Sequence, residues 1–113
     1  MRSKYNAKKV TLDGHQFDSA REAEHYRALK TQEQEGLISE LVLQPRFVLV
    51  PPFECQGERV RKMEYVADFQ YRDPKRGIVV EDVKGFKTPE YKLKAKLFKY
   101  LYVREGKMIF EEV

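Results

Sequence analysis

Cysteine is nearly absent: Cys55 stands alone. No intramolecular disulfide can form, and a structural zinc centre lacks its usual thiolates. Histidine is scarce too. His15 and His25 have no partner at metal-ligand spacing, so both, like Cys55, read as structural residues. No run approaches the ~18 apolar residues that cross a bilayer. The opening Met1-Arg2-Ser3-Lys4 leads into polar sequence without the apolar core of a signal peptide. The expectation is a cytoplasmic chain that makes no membrane contact. Internal repeats, low-complexity tracts and Pro/Gly/Ser-rich linkers are missing as well. Over 113 residues this predicts one domain, 1–113, and excludes a repeat array.

What remains is an ordinary globular balance, 42% hydrophobic and 35% charged, which buries a core without staples. Lys and Arg number 22 against 18 Asp and Glu, a net +4, compatible with a nucleic-acid partner but not diagnostic of one. Residues 1–8 read as a flexible basic arm. Asp13-Gly14 is a two-residue hairpin signal. Ser19-Ala20-Arg21-Glu22 is a capping-box opening for a helix that Gly36 closes. Leu41 to Val50 is extended, with Pro45 arguing for an edge or bulged strand and Pro51-Pro52 ending it. Arg59 to Tyr71 and Ile78 to Lys84 are further strands, joined by a turn at Asp73-Pro74-Lys75-Arg76-Gly77. Thr88-Pro89 caps a second helix reaching about Tyr102, and Lys107 to Val113 is a last strand. The order hairpin-α-β-β-β-α-β predicts an α/β domain whose mixed central sheet is flanked by two helices.

Chemistry concentrates at the hairpin of the middle strands. By side-chain alternation Asp68 shares a face with Val66. Asp82 and Lys84 share a face with Ile78 and Val80, while Glu81 points the other way with Val79 and Val83. Asp68, Asp82 and Lys84 are then expected near one end of an antiparallel pair. Converging carboxylates repel unless one is protonated or a cation lies between them. A hard divalent ion, Mg²⁺ or in its place Mn²⁺, satisfies both and leaves positions for water and a phosphate oxygen. An adjacent ammonium orients water or offsets charge on the phosphate. Such a set suits metal-assisted phosphodiester hydrolysis.

Asp68, a spacer of thirteen residues and Asp82-Val83-Lys84-Gly85 resemble the bipartite signature of the PD-(D/E)XK nucleases. Phe17-Asp18-Ser19-Ala20-Arg21-Glu22 is similar to their Ser-x-x-Glu first helix, and the element order matches their common core. More closely, Lys4-Tyr5-Asn6-Ala7-Lys8, Phe17-Asp18-Ser19, Leu43-Gln44-Pro45 and Val80-Glu81-Asp82-Val83-Lys84-Gly85 resemble a family of small phage-encoded proteins akin to Holliday-junction resolvases. The pattern departs at Ala67, where proline is usual, and at Asp82, where glutamate is commoner. The resemblance implies a restriction-endonuclease-like core and a Mg²⁺-dependent endonuclease acting on DNA, including branched DNA, in a bacterial host. Asp68, Asp82 and Glu22 would hold the metal and Lys84 would serve water or phosphate. Symmetric cutting of a junction would call for a homodimer.

Plainer roles stand beside these. Glu22 can be a helix-capping glutamate, although Glu22, Tyr26 and Leu29 at i, i+4, i+7 put it in line with core positions; Glu24 lies across the helix, in solvent. Asp68 can pair with an arginine, Asp82 with Lys84 as a surface salt bridge, and Glu81 can replace Asp82 as ligand. Lys87, Lys92, Lys96 and Lys99 can be a solvated face or a phosphate-binding one. Leu93, Leu97, Tyr100 and Leu101 are the expected core side of that helix, with Tyr91 and Tyr102 as packing residues. The alternative function, from a different class, is a nucleic-acid-binding module that keeps the fold without turnover.

Overall fold

The structure, a computed structural model, describes residues 8–113. The expected basic arm lies outside the described residues except for Lys8. The elements are β1 (Val10–Leu12), β2 (His15–Phe17), α1 (Ala20–Gln34), β3 (Ser39–Leu43), β4 (Arg46–Val50), β5 (Phe53–Cys55), β6 (Glu58–Val60), β7 (Met63–Val66), β8 (Phe69–Asp73), β9 (Gly77–Asp82), α2 (Pro89–Phe98) and β10 (Ile109–Glu112). A π-helical segment, Lys99–Val103, follows α2.

Local chemistry sets the boundaries. Asp13 (φ 53°) and Gly14 (φ 78°) both take the left-handed conformation that closes the β1–β2 hairpin. The Ser19 hydroxyl accepts from the Glu22 N–H at 3.1 Å to open α1, and Gly36 (φ 78°) lies just past its end. Thr88 caps α2 through the Tyr91 N–H at 3.0 Å, with Pro89 in the first turn.

A mixed sheet runs β10-β9-β8-β3, with β10 parallel to β9 and the other pairs antiparallel. Val79, Phe69 and Tyr71 meet α1 through Ala23, Tyr26 and Leu29. On the other face Val80 joins Phe47, Leu49, Tyr65 and Phe98 of α2. The expected α/β sheet between two helices is therefore present. No helix among the described residues is long and apolar enough to cross a membrane.

Several boundaries correct the sequence reading. The extended run Leu41 to Val50 is two strands, β3 and β4, broken where Gln44 takes φ 51° and Pro45 has no N–H to donate. The run Arg59 to Tyr71 is three, β6, β7 and β8. Its second break falls at Ala67-Asp68, opposite the first. The Gln44 N–H donates to the Asp68 carbonyl at 2.9 Å and the Ala67 N–H to the Pro45 carbonyl at 3.1 Å. Asp68 thus sits in a kink between strands, not on a strand face shared with Val66. The β5–β6 hairpin, turning at Gln56-Gly57, went unanticipated; all of its strand residues are exposed. The third middle strand stops at Asp82 and leaves Lys84 beyond it.

The core side of α2 also differs. Leu93 (53% exposed), Tyr100 and Leu101 face solvent, and of the four expected residues only Leu97 is half-buried against the core. The core-facing stripe is Tyr91, Ala95, Phe98 and Tyr102, at i, i+4, i+7, i+11, with Ala95 and Phe98 buried and the two tyrosines half-buried. Aromatic rings decide it. Phe98 lies with its centroid 4.7 Å from Phe47, 5.1 Å from Tyr65 and 5.3 Å from Tyr102, a contact set that leucines on the other side cannot match.

Candidate active site

Strand β9 carries two adjacent carboxylates on opposite faces. Asp82 points with Val80 toward the α2 side, wholly buried at 0% exposure. The Tyr65 hydroxyl donates to its Oδ2, and the Lys84 Nζ lies 3.3 Å from its Oδ1. That Oδ1 is buried and receives no hydrogen bond, so the ammonium is close but poorly aligned. Across the pair, Asp68 lies opposite the end of β9: its N–H donates to the Glu81 carbonyl at 3.2 Å. Its Oδ2 accepts from the Val83 N–H at 2.7 Å.

The kink therefore does what the expected strand face was to do. It turns Asp68 toward Asp82, close enough for their carboxyl groups to share a hydrogen bond. Burial, reinforced by that bond and by the charge of Asp82, pushes Asp68 up to about 8, against the opposing Val83 N–H. Glu22, on the first turn of α1 and also buried, is raised by burial and by Asp18, with Lys84 acting the other way. Glu22 and Asp68 together line two cavities. Among the described residues no group of three or more His, Cys, Asp or Glu side chains forms a ready cation cage.

A divalent cation nonetheless fits the donors present. Two hard carboxylate oxygens converge, and the buried Asp82 Oδ1 lacks a hydrogen bond. Mg²⁺ commonly takes one or two carboxylates and keeps its remaining positions for water and phosphate.

The raised Asp68 group makes a prediction without metal. Between the ordinary value of 3.8 and about 8 the folded chain holds a proton that the unfolded chain has lost. Stability should therefore fall as pH rises through that window. Melts in chelator from pH 5 to 8.5 should show the decline, Asp68→Asn should flatten it, and millimolar Mn²⁺ should offset it at the alkaline end. A wild-type profile that rises across the window would contradict the shared proton.

Glu81 faces the α1 side, as expected. His25 Nε2 lies 2.5 Å from its Oε1, and the Tyr71 hydroxyl donates to its Oε2 at 2.6 Å. Burial pushes its carboxyl up, but the bonds from His25 and Tyr71 outweigh that and hold it below its ordinary value. The structural reading of His25 thus has a partner. Glu81→Gln should destabilise by about 1–3 kcal/mol and leave any Mn²⁺-induced Tm shift intact. Loss of that shift would make Glu81, not Asp82, the metal ligand.

Lys84, at the cleft edge, also lies over the Tyr91 ring, 4.7 Å from its centroid. Lys87, Lys92, Lys96 and Lys99 are brought together elsewhere. They border a separate 380 Å³ cavity with Tyr91 and Glu112, where Lys87 pairs with Glu112 at 2.9 Å. None of the four lines the cavities that hold Asp68. Glu24 is exposed as expected and pairs with Arg27.

Sequence reasoning missed Tyr65, which anchors Asp82, and Gln44, whose backbone holds the kink. The signal for Gln44 was its place before Pro45; nothing local marks Tyr65, because its role depends on the β7–β9 neighbourhood.

Residues 2–111 match the model of a family described as "Protein of unknown function (DUF1064)". Neither the curated proteins nor the solved structures yield a match.

Proposed function

We propose that this chain, which belongs to the DUF1064 family, is a metal-dependent endonuclease with a restriction-endonuclease-like core that hydrolyses DNA phosphodiester bonds. One observation carries the reading: the Asp68 and Asp82 carboxyl groups converge at the end of the β8–β9 hairpin with the Lys84 ammonium 3.3 Å from Asp82. A stability-driven core has no use for two adjoining acids, one of them fully buried.

Asp68 and Asp82 would hold Mg²⁺ or Mn²⁺. When bound, that ion supplies positive charge against the phosphate and lowers the pKa of water at the site. Lys84, half-buried at the cleft edge, offsets charge as it builds on the phosphate. Tyr65 fixes the Asp82 carboxylate in orientation. Glu22 borders the cavities that Asp68 also lines and adds negative charge beside it. Branched DNA suits the resemblance to junction-resolving proteins, and a C₂ homodimer would deliver paired cuts.

The test is incubation of the purified chain with four-way-junction, linear duplex and single-stranded DNA, with Mg²⁺, with Mn²⁺ and with chelator. Cutting that needs the ion and disappears in Asp68→Asn supports the proposal. A second reading, a binding module without turnover, is favoured by the separate lysine-bordered cavity. Under it, DNA is bound with a steep salt dependence and never cut in either ion.

A further inference from the structure

Leu93, Leu97, Tyr100 and Leu101 read as one apolar stripe of a helix, and the fold leaves that stripe outside the core. Leu93 is 53% exposed, Tyr100 59% and Leu101 44%, while Leu97 is half-buried. The three leucines follow one another at i, i+4, i+8 and so line one side of α2 and its π-helical extension. The inner side is filled by Tyr91, Ala95, Phe98 and Tyr102. The helix therefore has two apolar faces, and among the described residues only the inner one is packed against the core. Scattered surface leucines need no explanation. An aligned row of them on one helix is the pattern by which helices pack on one another.

The side chains around the row are arranged to meet a copy of themselves. Counted outward from Leu97, Lys94 and Tyr100 stand three residues to either side, Leu93 and Leu101 four, and Glu90 and Arg104 seven. Two such helices laid antiparallel, with a two-fold axis at Leu97, set Leu93 against Leu101, Lys94 against Tyr100 and Glu90 against Arg104, each pair occurring twice. Unlike charges then meet at both ends, and a cation meets an aromatic ring between them. A parallel pair would put Glu90 beside Glu90 and Arg104 beside Arg104. Within one chain Glu90 pairs with Lys94 at 3.1 Å but stays 76% exposed, and Arg104 lies over its own Tyr100 ring, 4.1 Å from the centroid. None of these residues borders the lysine-lined cavity or the two that Asp68 lines, so the pairing takes nothing from either site.

We propose that the outer face of α2 is a homodimer interface, covered by a second copy of this chain laid antiparallel with Leu97 at the two-fold axis. From Glu90 to Arg104 the row runs about 20 Å at ~1.5 Å per residue, room for several layers of side chains to interlock between the two helices. The homodimer that paired cutting calls for thereby gains a face, but the assignment does not draw on the nuclease reading. A monomer that cuts DNA loses the interface alone. A dimer that never cuts loses the nuclease alone.

The experiment is sedimentation of the full chain from low to high micromolar concentration, with circular dichroism as the check on folding. Wild type should dimerise in this range. Leu93→Glu and Leu101→Glu, both at exposed positions, should each weaken the dimer by on the order of 10²-fold and leave a folded, helical monomer. Arg104→Glu should weaken it by about tenfold, and adding Glu90→Arg in the same chain should restore it, because the two charges face each other only across the axis. Register has its own readout. With Cys55→Ser as background, chains carrying Leu93→Cys and chains carrying Leu101→Cys should form a disulfide-linked dimer when mixed, and neither should do so alone. A wild-type chain that stays monomeric at high micromolar concentration overturns the interface and leaves the stripe to a different protein. A dimer indifferent to both glutamates places the contact on another face and overturns it equally. Cross-linking of Leu93→Cys to itself overturns the antiparallel register.

Discussion

Asp82→Asn should lower ion-dependent turnover by on the order of 10³-fold and yet leave the metal-free chain at least as stable as wild type at pH 8. Asparagine keeps the shape of the side chain and an acceptor for the Tyr65 hydroxyl. It removes a charge that is wholly buried and that repels Asp68. Lys84 loses its ion pair, but its side chain is 29% exposed and can be rehydrated. The Mn²⁺-induced rise in Tm should vanish, since a neutral amide is a poor partner for a hard divalent ion. Gain of stability with loss of activity is the mark of a group kept for function at the expense of the fold. Parallel measurements of turnover and Tm in chelator decide it. If Asp82→Asn loses stability in step with activity, Asp82 is a structural acid and the site assignment falls.

How much of this was legible in the sequence depends on how local the cause is. The Asp13-Gly14 turn, the Ser19 and Thr88 caps and the end of α1 at Gly36 are each written in a few adjacent residues, and each is where the pattern puts it. Strand alternation across Val79 to Asp82 separated Glu81 from Asp82 correctly, because β9 is a regular strand paired on both sides. Alternation failed one strand away. Asp68 lies in a kink enforced by Gln44-Pro45 on the neighbouring segment, a cause more than twenty residues distant in sequence. Its convergence with Asp82 was anticipated for a reason that does not apply, and the kink achieves it instead. The core side of α2 failed for a similar reason: leucine spacing is visible locally, whereas the ring partners Phe47 and Phe110 that draw in Phe98 are tertiary. Lysines 87, 92, 96 and 99 gather as their spacing suggests, yet only the fold reveals that their cavity is not the one holding Asp68.

That separation allows binding and chemistry to be taken apart at one residue. Lys84→Ala removes the cation beside Asp82 and its contact with the Tyr91 ring, while Asp68, Asp82 and the lysine-bordered cavity stay in place. On the proposed reading DNA affinity would draw on many phosphate contacts, so it should weaken by about one contact's worth, with the salt slope changed by ~1 unit at most. Turnover should fall much further, on the order of 10²-fold or more, if the ammonium acts, as proposed, on charge that develops only in the transition state. Lys84→Arg should recover affinity but little of the rate, since a planar fork does not reproduce a compact ammonium in a half-buried cleft. Single-turnover cleavage and equilibrium binding on one substrate, at two salt concentrations, measure both quantities. A common small factor in rate and affinity would make Lys84 a binding residue alone. A large fall in rate with affinity nearly kept would place its charge at the reacting phosphate, where the ion pair with Asp82 already holds it in the free chain.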